Sequence, residues 1–129
     1  MTTEASNKKK VLVVDDEPGI RSILRRSLSK KYSVLEASNG EVALDTARRE
    51  KPDIVLMDIM MPKVDGYSAC WAIKQDPVTK TIPVVMLTAL DYELNKRLGE
   101  QMGADGYITK PFDRDSLIDA IEHLLQGKS

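Results

Sequence analysis

The sequence predicts an α/β domain: a five-stranded parallel sheet with five helices distributed over both faces. Three observations predict it. Five short apolar, β-branched runs recur along the chain. Each is followed by a longer segment whose apolar residues repeat at helical spacing. Turn-forming residues punctuate the joints. Strand and helix alternating at this length imply parallel strands joined by right-handed crossovers.

The strands are expected at Val11–Val14, Ser33–Glu36, Ile54–Met57, Val84–Leu87 and Tyr107–Ile108. Val11–Val14 and Val84–Leu87 are continuously apolar, as strands covered on both faces should be. Ile20, Ile23, Leu24 and Leu28 recur at the three- and four-residue steps of a first helix. Val42, Ala43 and Ala47 mark a second, and Ala69, Cys70 and Ile73 a third. Leu94, Leu98 and Met102 mark a fourth, and Leu117, Ile121, Leu124 and Leu125 a fifth. Pro18 belongs in the first turn of the first helix, where its missing N–H costs nothing. Ser38-Asn39-Gly40 forms a turn before the second, and Gly103 is a C-cap after the fourth. Residues 1–9 are expected to be a flexible tail, 10–126 one domain, and 127–129 a frayed end.

Composition narrows the function classes. The 129 residues are 42% hydrophobic and 30% charged, ordinary for a globular domain large enough to bury a core. A net charge of -1 gives no general attraction to nucleic acid or anionic lipid. The longest apolar runs are about five residues, against the roughly 20 needed to cross a bilayer. Lys8, Lys9 and Lys10 are not followed by a secretory h-region. The lone Cys70 cannot form an internal disulfide, which fits a reducing, cytoplasmic setting.

In an open parallel sheet, ligand chemistry gathers beyond the carboxyl ends of the strands. The first strand ends in Asp15-Asp16, the third in Asp58, the fourth in Thr88 and the fifth in Thr109-Lys110-Pro111. Three carboxylates at one edge repel each other, and such a cluster is stable mainly with a cation in it. Ligation by oxygen alone, from few protein groups, suits Mg²⁺. A divalent ion, an ammonium and a hydroxyl around one carboxylate make a phosphoryl-transfer site with an aspartate nucleophile.

Each residue also has a plainer reading. Asp16 could cap the first helix, and Asp15 could be a turn residue. Thr88 could cap the fourth helix, and Lys110 could be a solvated loop lysine. Asp58 ends an apolar strand, where an acid is costly without a partner. The functional reading rests on all five lying at strand ends on one edge.

The segments Val11-Leu-Val-Val-Asp-Asp-Glu-Pro18, Ile54-Val-Leu-Met-Asp-Ile-Met-Met-Pro-Lys-Val-Asp-Gly66, Leu87-Thr-Ala89 and Lys110-Pro-Phe112 resemble the response-regulator receiver family, in order and over nearly the whole chain. The resemblance implies the flavodoxin-like strand order 2-1-3-4-5. It implies a two-component phosphoacceptor rather than an enzyme, one that catalyses only its own phosphorylation and slow autodephosphorylation. Asp58 would take a phosphoryl group from a histidine kinase or histidine phosphotransfer protein. Asp16, Asp58 and the backbone carbonyl of Met60 would bind Mg²⁺, with Asp15 helping through water. Thr88 and Lys110 would contact the phosphoryl oxygens, with Lys110–Pro111 in the cis form. Thr88 and Tyr107 would be the switch pair, altering the surface made by the fourth helix, fifth strand and fifth helix. A downstream protein or fused output domain would read that surface, with no direct nucleic-acid or membrane partner. Met60 and Leu90 would flank the path of an attacking water. Both are apolar, which implies a long-lived phosphoryl group.

Three alternatives differ in chemistry. Aspartate-nucleophile phosphatases resemble a pattern of two acids separated by one residue and carry a cap domain, whereas Asp15 and Asp16 are adjacent. A flavodoxin-like cofactor binder needs a phosphate-binding loop where Asp15-Asp16-Glu17-Pro18 would repel phosphate. A degenerate receiver acting only as an interaction module would lack some of the five site residues. Elsewhere, His123 reads as a surface residue, Cys70 as a small buried group and Trp71 as facing outward, where it could mark a partner surface. In the family it resembles, receivers that dimerise through the fourth and fifth helices usually carry an arginine late in the fifth; Ile118–Gln126 has none, so the resemblance argues against that mode.

Overall fold

A computed structural model describes residues 8–58, 66–88, 97, 101, 103–109 and 113–127, with the backbone alone at Thr88, Thr109 and Gly127. Five parallel strands form one sheet: β1 (Lys10–Val14), β2 (Ser33–Ala37), β3 (Ile54–Asp58), β4 (Val84–Thr88) and β5 (Gly106–Thr109). Their order is β2-β1-β3-β4-β5, as expected. Every observed strand includes its expected run and extends it by a residue or two.

The described helices are α1 (Pro18–Leu28), α2 (Gly40–Glu50), α3 (Gly66–Gln75) and the C-terminal α4 (Arg114–Gly127). That is four described helices against five expected. The segment around Leu94, Leu98 and Met102 lies outside the described residues, apart from Arg97 and Gln101, which are helical.

Alternation along the strands divides the core. Leu12, Val14, Val55, Met57, Val84 and Met86 pack with Ala43 and Ala47 of α2 and Ala69, Cys70 and Ile73 of α3. Val11, Val13, Ile54, Leu56, Val85 and Leu87 pack with Leu24 and Leu28 of α1 and Leu117 and Ile121 of α4. The sheet is therefore covered on both faces, which is why its central strands are apolar throughout. Leu56 is fully buried; its replacement by Ala should cost about 2–5 kcal/mol.

Two apolar positions depart from expectation. Ile23 is 50% exposed and Val42 41% exposed. Neighbouring residues on a helix are about 100° apart. Ile23 is therefore turned away from buried Leu24, and Val42 from buried Ala43. Trp71 and His123 are exposed and Cys70 is buried, as expected. Burial pushes the Cys70 thiol up to about 12, with Lys74 opposing and Asp105 adding to the shift.

The ends of the elements are locally determined. Pro18 starts α1. The Asn39 side chain accepts the Val42 N–H at 2.9 Å and caps α2. Gly103 has φ +95, the left-handed backbone suited to the C-cap expected there. Asp105 joins three elements: its Oδ2 accepts the Val84 N–H at 2.8 Å and the Lys74 ammonium at 2.9 Å. That bond fixes the start of β4 and the entry to β5.

Candidate functional site

The register aligns the ends of β1 and β3. Val14 pairs with Met57, so Asp15 and Asp58 leave adjacent strands at the same level. Asp58 pairs with Leu87 on its other side, placing the Thr88 backbone one residue further along. Thr88 in turn pairs with Thr109, which precedes Lys110 in the chain.

The three acids meet. Asp15, Asp16 and Asp58 each offer a carboxylate oxygen, and these oxygens all lie within 4.8 Å of one another. Asp15 is 1% exposed and Asp58 5%, while Asp16 is half-buried. Two oxygens sharing one ion at the 2.0–2.1 Å typical of Mg²⁺ stand at most about 4.2 Å apart. The cluster therefore needs little adjustment to hold such an ion. The donor set is all oxygen and triply acidic, the chemistry of a hard divalent cation.

Local bonds hold the loop after β1. The Asp15 N–H donates to the Ala37 carbonyl at 3.1 Å, continuing the β1–β2 ladder. Asp15 Oδ1 accepts the Glu17 N–H at 2.9 Å. The Asp15 carbonyl accepts Arg21 Nη1 at 2.7 Å. The N-cap of α1 is Glu17, which makes no side-chain capping bond. The plain reading of Asp16 as helix cap is thus overturned: the helix starts one residue later, at Pro18, leaving the Asp16 carboxylate in the acidic cluster.

Tyr107 pairs with Met86 across β4 and β5. It is half-buried against the core cluster beneath α2 and α3. With Asp119, His123 and Leu124 of α4, it also lines a groove of about 420 Å³. The Thr88 and Lys110 side chains, the Met60 carbonyl, Met61, Leu90 and the Lys110–Pro111 bond lie outside the described residues.

Sequence reasoning missed Arg21. A signal for it was present: Arg21 stands three residues before Leu24 and seven before Leu28, on the buried stripe of α1. A charge placed there requires a partner. Arg21 has two, the Asp15 carbonyl and Glu36.

Comparison with known proteins agrees with this arrangement. The chain matches the response regulator receiver domain family over residues 11–122. It is 48% identical over 105 residues to the alkaline phosphatase synthesis transcriptional regulatory protein PhoP of Bacillus subtilis, covering 81% of this chain and 43% of that protein. It is 41% identical over 119 residues to protein PilH of Pseudomonas aeruginosa, covering 92% of this chain and 98% of PilH. The chain thus spans about half the length, or less, of several relatives and nearly all of another. Among solved structures, it is similar to the receiver domain of sensor histidine kinase PA1611 from Pseudomonas aeruginosa, which holds a magnesium ion coordinated in its active-site cleft. The TM-score is 0.85 at 28% identity, covering 92% of this chain and 98% of that one. On fold, acidic cluster and sequence together, this chain belongs to the response-regulator receiver family of two-component systems.

Proposed function

We propose that this receiver domain accepts a phosphoryl group on Asp58 in a Mg²⁺-dependent reaction and signals through a changed surface. The observation that carries the reading is the cluster of Asp15, Asp16 and Asp58 at the carboxyl ends of β1 and β3. Bound Mg²⁺ would supply charge neutralisation for the transferring oxygens. Asp16 and Asp58 would hold it directly with the Met60 carbonyl, and Asp15 through water.

The chain's own residues divide the work. An Asp58 carboxylate oxygen attacks the phosphorus of a phosphohistidine on a partner kinase or phosphotransfer protein. The P–O bond forms as the P–N bond breaks, and the departing imidazole nitrogen takes up a proton. The product is an acyl phosphate on Asp58. Lys110 and Thr88 would bond the phosphoryl oxygens and favour the switched conformation. Tyr107, half-buried on β5, would follow Thr88 and alter the surface made by the expected fourth helix, β5 and α4, to be read by a downstream protein or output domain. Receiver domains are signalling components, and this chain is read as a phosphoacceptor rather than a turnover enzyme. No helix among the described residues is long and apolar enough to cross a membrane.

The test is incubation with acetyl phosphate and Mg²⁺, followed by intact-mass measurement of the parent and Asp58→Asn. The parent should gain one acid-labile phosphoryl group and the variant none. A variant that is phosphorylated at the parental rate would overturn the assignment.

A further inference from the structure

We propose that Arg21 is a positioning residue for the cation site: it pins the Asp15 carbonyl and so sets the loop that carries Asp15 and Asp16. The proposal rests on the acidic cluster being a Mg²⁺ site and deepens that reading.

The geometry is a closed bracket. The Asp15 N–H is held by Ala37 of β2 at 3.1 Å. Its carbonyl is held by Arg21 of α1 at 2.7 Å. Its Oδ1 is held by the Glu17 N–H at 2.9 Å. The backbone is thus fixed on both sides of the Asp15 α-carbon, and the carbonyl bonded by Arg21 belongs to the peptide that leads into Asp16.

Arg21 is itself held. Its Nε donates to Glu36 Oε1 at 3.1 Å, and Arg25 Nη2 bonds the other Glu36 oxygen at 2.5 Å. The Arg21 side chain is only 17% exposed and that of Glu36 25%. Glu36 lies on β2 opposite Val13, two residues before Asp15 along the β1–β2 register. Pairing with Glu36 fixes the guanidinium plane, and a fixed plane aims Nη1 at the Asp15 carbonyl. A rigid fork serves two acceptors at once, which an ammonium does poorly. Outer partners of this kind commonly tune metal affinity by about 10- to 100-fold.

A purely architectural role, docking α1 on β2, predicts something different. It would lower stability equally with and without Mg²⁺ and leave affinity unchanged. The two are separated by calorimetric Mg²⁺ titration alongside thermal unfolding in EDTA and in Mg²⁺, for parent, Arg21→Met, Arg21→Lys and Glu36→Gln.

Arg21→Met should weaken Mg²⁺ by about tenfold and shrink the Mg²⁺-induced rise in Tm. Arg21→Lys and Glu36→Gln should fall between, each about threefold weaker, because each keeps only part of the fork. Parental affinity in Arg21→Met, with equal Tm losses in both buffers, overturns the proposal. Should Arg21→Met fail to fold, parental affinity in both Arg21→Lys and Glu36→Gln overturns it instead. The underlying reading fails separately, if Mg²⁺ binding by the parent is indifferent to Asp16→Asn and Asp58→Asn.

Discussion

The two ends of the sheet both concentrate like charge, with opposite physical consequences. At the carboxyl end, Asp15, Asp16 and Asp58 converge to within 4.8 Å, two of them almost fully buried. At the amino end, Lys8, Lys9, Lys30 and Lys31 line a groove of about 530 Å³ with Tyr32 and Glu122. The lysines are exposed or half-exposed. Lys31 pairs with Glu122, and Lys8 Nζ donates to the Ser29 carbonyl at 3.0 Å. Exposed ammoniums on flexible stems are screened by water and salt and can move apart. Buried carboxylates at strand ends cannot. Crowding of charge thus becomes a site where the backbone forbids relief. At the carboxyl end a bound cation would supply that relief.

Substitutions at the two ends should therefore differ sharply. Asp58→Asn should weaken Mg²⁺ by more than the roughly 10- to 100-fold typical of losing an outer partner. A Lys9→Met, Lys30→Met double variant should leave Mg²⁺ affinity unchanged. Calorimetric titration of both would break the comparison if the lysine variant lost as much.

A second prediction divides the acids. Asp16→Asn should cost more Mg²⁺ affinity than Asp15→Asn, because Asp15 Oδ1 already accepts the Glu17 N–H and is oriented toward the loop backbone. Equal or reversed losses would remove the distinction between direct and water-mediated roles.

Without Mg²⁺ the sign should invert. Asp58→Asn removes one of three crowded charges and should raise stability by about 1 kcal/mol, a few degrees in Tm. Thermal unfolding in EDTA measures this. An unchanged or lower Tm would show that the carboxylates are not in net repulsion.

The smallest effect belongs to the amino end and to alkaline pH. Burial, and then the nearby Glu122 carboxylate that accepts its hydroxyl, push Tyr32 from 10.0 up to about 12. A raised pKa means that the folded state keeps the proton longer than the unfolded chain. The resulting stability is fully present below about pH 10 and is lost as pH rises from there through about 12. Tyr32→Phe should flatten that part of the decline, read as the difference between parent and variant in alkaline denaturation. Parallel curves would sink the assignment. Glu122 is held below the usual carboxylate range, chiefly by its hydrogen bond to Lys31, but it is partly open to solvent and should contribute little acid sensitivity.

Much of this was legible in the sequence because each signal was local. Continuous runs such as Val11–Val14 announced strands buried on both faces, and acids at the ends of two such runs announced the cluster. Pro18, Asn39 and Gly103 acted where their backbone chemistry predicts. What escaped were contacts between elements. The Arg21 bond to the Asp15 carbonyl needs the α1–β2 packing to bring Glu36 alongside. The bond from Asp105 to Val84 and Lys74 joins residues 21 and 31 positions apart. Ile23 and Val42 followed the apolar pattern yet face outward, because the pattern gives the buried stripe but not its edge. Asp16 read equally well as a cap until the structure placed the cap at Glu17.

The most direct measurement is peptide mapping of the parent protein after incubation with acetyl phosphate, in Mg²⁺ and in EDTA. A single phosphoryl group is expected, on the peptide containing Asp58, formed in Mg²⁺ and nearly absent in EDTA. A phosphoryl group mapped to another residue, or equal labelling of Asp58 in EDTA, would contradict it.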